Sequence, residues 1–298
     1  MHFDILINEK GGTALTHGRE MLETLIREKL SGHIRSLHFA EGPAIGDTLQ
    51  SIFDSEPQAI LIGGGDGTIA LCGAECVKKK IPFGVIPLGT MNLLAHDLNV
   101  PIDLDECLSR YANAKTVDID IGSVNDHLFF CNAIIGVVPE AAIAREEARD
   151  LPGVGTWAAL AETILKDMGS SDTETVHIKM GNHRRTIRAK SIIVANNAYV
   201  EMPNAATDRL TRKSLRDGLL MIYTAAPKTW FQSIRLLFKI WLGGWPRDPS
   251  VQSFRRTEMV LDAASRELLL AIDGEPISLK LPFHFKVHPR GARVIVPA

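Results

Sequence analysis

Cysteine, net charge and long apolar runs are all scarce in this chain of 298 residues. The four cysteines form no Cys-x-x-Cys pair and have no histidine at zinc-finger spacing, which argues against a structural metal cluster. No stretch approaches the roughly 18 uncharged apolar residues of a membrane-spanning helix, and the first residues do not resemble a secretory leader. We therefore expect a soluble, cytoplasmic protein.

The charge balance is nearly neutral, because 33 Lys and Arg against 35 Asp and Glu leave a net charge of −2. Such a balance is not typical of a protein that coats nucleic acid, and no nucleic-acid recognition motif is present, so we expect no nucleic-acid partner. With 45% hydrophobic residues, the chain has material for about two packed domains.

Up to about residue 120, apolar strand-like runs alternate with stretches of helical spacing. The runs are Phe3 to Asn8, Ile34 to Phe39, Ala59 to Ile62 and Phe83 to Ile86. This alternation predicts right-handed crossovers and a parallel sheet that is covered on both faces. We assign residues 1–120 to an α/β domain.

The remaining residues, 121–298, predict a β-rich, mostly antiparallel domain. A hairpin is expected at Asn125-Asp126, and helices are expected at about 140–150 and 155–168. Further strands are predicted at Val176 to Met180, Ile187 to Asn196, Leu219 to Thr224, Met259 to Ala263, Leu268 to Ile272 and Phe285 to His288.

Two polar loops follow predicted strands and precede predicted helices. The first is Gly63-Gly64-Gly65-Asp66-Gly67-Thr68, and the second is Pro87-Leu88-Gly89-Thr90-Met91-Asn92. Backbone N–H groups at the start of a helix favour an anion, and glycine lets the main chain approach phosphate oxygens closely. The alternative for the first loop alone is a structural tight turn. Because both loops fall at the same carboxyl edge of the predicted sheet, together they predict a phosphate site.

The pair GGGDGT and PLGTMN, about 20 residues apart, resembles the soluble diacylglycerol kinase catalytic-domain family, which includes bacterial lipid kinases and sphingosine kinases and is distantly similar to NAD kinases. The likeness continues through Asp217-Gly218-Leu219-Leu220 and Ile272-Asp273-Gly274-Glu275-Pro276. It implies a nucleotide-binding α/β domain followed by a sandwich-like β domain. It also implies an ATP-dependent, magnesium-requiring lipid kinase that phosphorylates a hydroxyl of a diacylglycerol-like or sphingoid-like lipid.

Carried over by position, the resemblance implies a set of residues that bind the ATP phosphates or shape the loops around them. Asn8, at the end of the first strand, matches the asparagine that opens another loop of the family. The full set is Asn8, Gly64, Gly65, Asp66, Gly67, Thr68, Thr90 and Asn92.

Asp273 and Glu275 are the candidate acid–base residues, because phosphoryl transfer to an alcohol needs a carboxylate that accepts the hydroxyl proton. On local sequence alone, an Asp-Gly hairpin turn with an exposed glutamate is the alternative. The resemblance favours catalysis, with Glu275 as the base and Asp273 organising magnesium or its water shell. The reverse assignment stays open.

The resemblance further implies a structural magnesium site formed by the carboxylate of Asp217 and the main-chain carbonyls of Ser214 and Leu219. Arg216 stands where the family often has an acidic residue, and its charge would oppose the ion. Ala70, Leu71 and Leu93 also replace polar residues that are common in the family. These differences favour the hypothesis of a catalytically silent nucleotide- or lipid-binding regulator. A further alternative is an NAD-kinase-like phosphotransferase, because NAD kinases share the GGDGT loop.

A basic segment spans residues 209–256, with ten Lys or Arg against two Asp, or 10 − 2 = +8. Within it, Trp230 to Trp241 has helical spacing of apolar residues, with Arg235 and Lys239 between them. This composition predicts a helix that contacts an anionic membrane through Trp230, Arg235, Lys239 and Trp241, at the inner face of the cell membrane, where a lipid substrate would lie. The alternative is a helix that packs its apolar face on the β domain.

Overall fold

The computed structural model describes residues 1–136, 174–180, 183–201, 210–263 and 267–298. The chain forms two compact units, one of residues 1–119 with 290–298 and one of residues 120–289. The last nine residues thus belong to the first unit, although the sequence analysis assigned the whole segment 121–298 to the second domain. The helices predicted at 140–150 and 155–168 lie outside the described residues.

The first unit is a parallel sheet with helices between its strands, as predicted. Its strand order is β2-β1-β3-β4, and the end of β16 pairs with β4, also in parallel. β1, β3 and β4 are apolar runs because both faces of the sheet are buried there, whereas the edge strand β2 is mixed in composition and only partly buried. The elements are β1 Phe3–Asn8, α1 Gly12–His17, α2 Arg19–Lys29, β2 Ile34–Ala40, α3 Ala44–Asp54, β3 Ile60–Gly64, α4 Asp66–Lys79, β4 Phe83–Pro87, α5 Leu93–Asp97 and α6 Leu104–Tyr111.

The strand order places a topological switch point between β1 and β3. From β1 the chain crosses to β2 on one side, whereas β3 and β4 follow on the other side. Open parallel sheets bind ligands outside the carboxyl ends of the strands at such a point. β1 ends at Asn8, and β3 ends at Gly64, inside the first glycine loop.

The second unit is antiparallel. One sheet has the order β12-β11-β10-β7-β14-β15, and in another β13 pairs with β8 and with the first part of β16. Between them lies an apolar core that includes Val194, Ile222, Leu261 and Phe283. The elements are β5 Lys115–Val124, which begins in the first unit, β6 His127–Phe129, β7 Asn132–Gly136, β8 Glu174–Met180, β9 His183–Ala189, β10 Ser191–Asn196, β11 Leu220–Ala225, α7 Trp230–Leu242, a 3-10 helix Trp245–Arg247, β12 Val251–Arg256, β13 Glu258–Ala263, β14 Glu267–Ile272, β15 Glu275–Lys280 and β16 Phe283–Val296.

The predicted strand from Ile187 to Asn196 is two strands in the structure. β9 pairs with β8, whereas β10 pairs with β7 and β11, so the chain changes sheet at Lys190. No glycine or proline marks this crossing, which explains why the sequence pattern predicted one strand. The predicted hairpin at Asn125-Asp126 is confirmed, since β5 and β6 pair across it and Asn125 adopts a left-handed conformation.

The predicted fold class, an α/β parallel-sheet unit followed by a β-rich sandwich-like unit, is confirmed. Across the described ranges, no helix is long and apolar enough to cross a membrane. The same residues contain no group of three or more His, Cys, Asp or Glu side chains that could hold a metal ion.

Candidate phosphate-binding and acid–base sites

The first glycine loop connects β3 directly to α4. Gly65 precedes the helix in an extended conformation, and its carbonyl accepts the N–H of Ile69, 3.0 Å away, in the first helical turn. The first N–H groups of a helix have no intrahelical partner, so they are available to an anion. Gly64 has no room for a side chain, since an added Cβ would lie 2.6 Å from Cβ of Thr68. The local fold therefore requires glycine there.

The second glycine loop packs closely against the backbone of the first. An added Cβ on Gly89 would lie 2.6 Å from Cα of Gly65, and the N–H of Leu88 donates to the carbonyl of Gly64 at 3.0 Å. Asn92, in a left-handed conformation, closes the second loop, because its side chain accepts from the N–H of Gly89 at 2.9 Å and donates to the Gly89 carbonyl at 2.8 Å. The two loops are thus in close backbone contact and are joined by a hydrogen bond.

The side chain of Asp66 also connects the two loops, through a hydrogen bond. Its Oδ1 accepts the N–H of Leu93, 2.7 Å away, at the start of α5. Burial raises the pKa of Asp66, and hydrogen bonds from the backbone of Leu93 and Asn92 oppose the rise. The expected contact of Asp66 with phosphate or metal stays a prediction, and the structure adds a contact that holds the second loop.

Asn8 bridges the switch point between β1 and β3. Its Nδ2 donates to Oγ1 of Thr68 at 2.8 Å, and its Oδ1 accepts the N–H of Lys10 at 3.0 Å. Thr90, in the second loop, is exposed, and a Cβ built on Gly12 would lie 3.9 Å from its Oγ1. The structure thus brings the predicted nucleotide-binding residues of three segments to one edge of the sheet.

In the second unit, Asp273 lies in the turn between β14 and β15 and is 4% exposed. Its carboxylate accepts the backbone N–H groups of Phe130, Cys131 and Asn132 at 2.7 to 2.9 Å. Burial raises the pKa of Asp273 to about 6, against the lowering by these three N–H groups and by Arg212. The buried carboxylate therefore fixes the position of the turn, and its predicted role at magnesium stays a prediction.

Glu275 is the first residue of β15 and is exposed. It follows Asp273 by two residues across Gly274, which has a positive φ of 94°. The turn thus separates two carboxylates, one buried and hydrogen-bonded and one open to solvent. An exposed carboxylate can accept a proton from a substrate hydroxyl, so the geometry suits the role predicted for Glu275.

Behind the Asp273 turn lies a polar network that the sequence analysis did not identify. Arg212, 6% exposed, donates to the carbonyls of Phe130 and, at 2.9 Å, Asn196. Asn196 donates through Nδ2 to the carbonyl of Asp120 at 2.7 Å. Asp120 is buried, although it falls on a polar position of the alternating run from Val117 to Ile121, so the alternation did not indicate its burial.

The predicted metal ligands lie in the segment just before β11. Asp217 is exposed, the hydroxyl of Ser214 accepts the N–H of Arg216 at 3.1 Å, and the carbonyl of Leu219 accepts the N–H of Asn197 at 3.0 Å. One carboxylate with carbonyl oxygens is a donor set that suits Mg²⁺, because hard cations take oxygen ligands. The metal assignment stays a prediction.

The fold defines a two-domain class, in which an α/β parallel-sheet unit with two glycine loops at its switch point is followed by an antiparallel β unit. The sequence model of the diacylglycerol kinase catalytic domain matches residues 2–124, and that of the YegS C-terminal NAD kinase beta sandwich-like domain matches residues 140–296. The second match covers more than half of the chain. The chain therefore belongs to the family in which a diacylglycerol kinase catalytic domain is followed by a YegS C-terminal NAD kinase beta sandwich-like domain.

Individual relatives agree with this family. A Streptococcus pneumoniae protein with the provisional name of lipid kinase is 26% identical over 271 residues, which cover 90% of this chain and 84% of that protein. A Synechocystis protein is 25% identical over 80% of this chain and 54% of its own, and a Klebsiella pneumoniae protein named probable lipid kinase YegS-like is 31% identical over 44% of each. The chain thus spans about half the length of the latter two relatives.

Solved structures show the same fold. A diacylglycerol kinase of Bacillus anthracis has a TM-score of 0.69 at 18% identity, and a second B. anthracis structure, provisionally named a diacylglycerol kinase, has a TM-score of 0.74 at 20% identity. Each match covers 99% of this chain and 96% of the other.

Proposed function

We propose that this chain is an ATP-dependent lipid kinase that transfers the γ-phosphoryl group to a hydroxyl of a diacylglycerol-like or sphingoid-like lipid, in the cytoplasm. The observation that carries the proposal is the pair of interlocked glycine loops at the β1–β3 switch point. Membership in a kinase family and the lipid kinase names of relatives support the acceptor class.

In the proposed reaction, the backbone N–H groups of residues 65–68 hold the phosphate chain, with Thr68 and Thr90 as hydroxyl donors. The lipid hydroxyl oxygen attacks the γ-phosphorus, the bond from that phosphorus to the bridging oxygen breaks, and ADP leaves. Glu275 accepts the hydroxyl proton. When bound, Mg²⁺ would neutralise phosphate charge, and Asp217 with the carbonyls of Ser214 and Leu219 would hold a structural ion.

The test is a kinase assay with radiolabelled ATP on a panel of diacylglycerols, sphingoid bases and NAD. We expect a phosphorylated lipid product. Product from NAD alone would refute the lipid assignment and favour an NAD-kinase-like enzyme. No product from any acceptor would favour a silent nucleotide- or lipid-binding regulator.

Glu275→Gln tests the proposed base. We expect ADP affinity to stay within about two-fold of the unsubstituted protein and turnover to fall roughly 10²-fold or more, since general base catalysis contributes about 10²- to 10⁴-fold. Glu258→Gln, the same change at another exposed strand residue, is the matched control. Unchanged turnover in Glu275→Gln would remove Glu275 from this role.

A further inference from the structure

Large apolar side chains cover the outward face of α7. Trp230, Phe231 and Phe238 are 67%, 64% and 57% exposed, and Ile234 and Leu242 lie beside them at 42% and 51%. Spacings of one and four residues place all five on one stripe of the helix. The 13-residue helix contains no acidic residue. This apolar stripe is an unusual surface for a protein in water.

The opposite face of α7 already has its packing partner. Leu236 is buried in a cluster with Tyr199, Tyr223 and Trp245 on the β10–β11 sheet. The alternative interpretation from the sequence, a helix packed on the β domain, is therefore correct for this face. It does not account for the apolar stripe, which faces away from that cluster.

The two cations of α7 have a different contact from the one expected. Arg235 makes two hydrogen bonds of 2.9 Å to Asp248, and Nζ of Lys239 lies 3.2 Å from the same carboxylate, whose side chain is fully buried. These contacts fasten the helix to the protein, and the membrane contact predicted for the two cations stays a prediction. The side chain of Trp241 lies outside the described part of the chain, and its predicted membrane contact stays a prediction.

The size of the stripe distinguishes between possible occupants. Since an aromatic side chain has about 150–250 Å² of surface, the exposed parts of the three aromatic residues amount to roughly 400 Å². A stable dimer buries about 800 Å² on each partner, ordinarily with a polar rim of hydrogen bonds. A bilayer needs neither, because tryptophan and phenylalanine partition into the interfacial region one side chain at a time.

Charge around the stripe also suits a lipid surface. From residue 210 to residue 256 the chain has nine Lys or Arg against two Asp. When the buried Arg212 and the mutually bonded Arg235, Lys239 and Asp248 are set aside, six exposed Lys or Arg and the exposed Asp217 remain, or 6 − 1 = +5. Lys228 is exposed two residues before the helix begins. Anionic head groups attract such a segment, whereas a second copy carries the same positive charge and would be repelled.

A short chain of contacts connects the helix to the candidate acid–base turn within the second unit. Tyr199, which packs in the cluster under α7, accepts Nδ2 of Asn132 at 2.8 Å. The N–H of Asn132 in turn donates to Asp273 at 2.9 Å. Hydrogen bonds through Asn132 therefore connect the cluster under the helix to the turn.

We propose that the apolar stripe of α7, formed by Trp230, Phe231, Ile234, Phe238 and Leu242, inserts into the head-group region of an anionic bilayer and docks the protein on the membrane that contains its lipid substrate. The choice of a membrane that holds the substrate rests on the proposed lipid kinase activity. The proposal that the stripe inserts rests on the exposure of its side chains, on its apolar area and on the positive charge of the surrounding segment.

The test is co-sedimentation with phosphatidylcholine vesicles that contain phosphatidylglycerol. We expect the double variant Phe231→Ser/Phe238→Ser to bind the vesicles at least roughly ten-fold more weakly, because interfacial binding scales with the apolar area that is buried. The matched control is Met21→Ser/Ile102→Ser, which removes two exposed apolar side chains of the first unit and should bind as the unsubstituted protein does. All four positions are exposed, so equal thermal unfolding is expected and is measured in parallel.

Equal vesicle binding by the two double variants would overturn the proposal. A second result would also overturn it: a protein that binds no vesicles, is a dimer in gel filtration and becomes a monomer in Phe231→Ser/Phe238→Ser. In that case a second copy of the chain would cover the stripe. Sedimentation requires no turnover. A protein that docks through α7 but phosphorylates no lipid would therefore refute the kinase activity and leave the docking surface in place.

Discussion

Gly89→Ala is the most direct perturbation of the two interlocked loops. The new Cβ would lie 2.6 Å from Cα of Gly65, where ordinary van der Waals contact begins at 3.4 Å. The opposing atom belongs to the main chain and cannot rotate away. The loops must therefore separate by about 3.4 − 2.6 = 0.8 Å, and overpacking of this kind costs roughly 1–3 kcal/mol of stability.

The same displacement sets the expected loss of nucleotide affinity. A donor 2.9 Å from a phosphate oxygen would move to roughly 3.7 Å, beyond hydrogen-bond distance. A hydrogen bond to a charged group contributes about 1.5–3 kcal/mol, so the loss of one weakens ADP binding roughly ten- to hundred-fold. Isothermal titration calorimetry with ADP measures this directly.

Gly46→Ala is the matched control, because it makes the same chemical change inside α3. An added Cβ there meets nothing within 4 Å, and alanine stabilises a helix by roughly 0.5–1 kcal/mol relative to glycine. We expect this variant to melt slightly higher and to bind ADP normally. If folded Gly89→Ala binds ADP as tightly as Gly46→Ala, the loops are not the rigid phosphate site inferred from their contact.

Two buried carboxylates should give opposite pH dependences of stability. Burial raises the pKa of Asp273 from 3.8 to about 6, so the folded state binds this proton more tightly than the unfolded state does. Asp273 should therefore make the free energy of unfolding rise as the pH falls from about 6 to 4. Urea titrations should show that Asp273→Asn removes this rise, and an identical pH profile in the variant would contradict the reasoning. Burial opposes the charge of Asp248, but hydrogen bonds from Arg235, Ser250 and Lys239 outweigh the effect of burial and lower the pKa of Asp248. The ionised Asp248 therefore stabilises the fold above pH 3.8, and this stabilisation is lost as the pH falls further. Hydrogen exchange should show weaker protection of α7 in Asp248→Asn than in the unsubstituted protein at neutral pH, and equal protection would refute the fastening role.

Local pattern was sufficient to predict most of the fold. The apolar runs of β1, β3 and β4 alternate with helices, and this alternation allows only a covered parallel sheet. The change of sheet at Lys190 was not predictable, because apolar and β-branched residues continue on both sides of it. The return of residues 290–298 to the first unit depends on pairing of Val294 with Phe83, which lie 211 positions apart in the sequence.

The candidate sites, like the fold, could be predicted from the sequence only in part. Glycines between a strand and a helix mark the phosphate loops, and the contact of Gly89 with Gly65 follows from neighbouring parallel strands. The environment of Asp273 depends on three N–H groups more than 140 residues earlier in the chain, and that of Arg212 on the carbonyl of Phe130. Helical spacing in α7 revealed an apolar stripe but not whether the stripe faces the core or the solvent, since the periodicity is the same in both cases.

The first glycine loop and the turn between β14 and β15 each contain an aspartate whose carboxylate accepts backbone N–H groups. Asp66 accepts the N–H of Leu93 and Asp273 accepts those of Phe130 to Asn132, and burial raises the pKa of both. In each segment the residue two positions later, Thr68 or Glu275, has the side chain suited to contact a substrate. A carboxylate already surrounded by backbone donors gains less from a magnesium ion than an open one, because the ion would have to displace those hydrogen bonds. We therefore expect the aspartates to position the loop and the turn, and the neighbouring hydroxyl and carboxylate to take part in the proposed reaction.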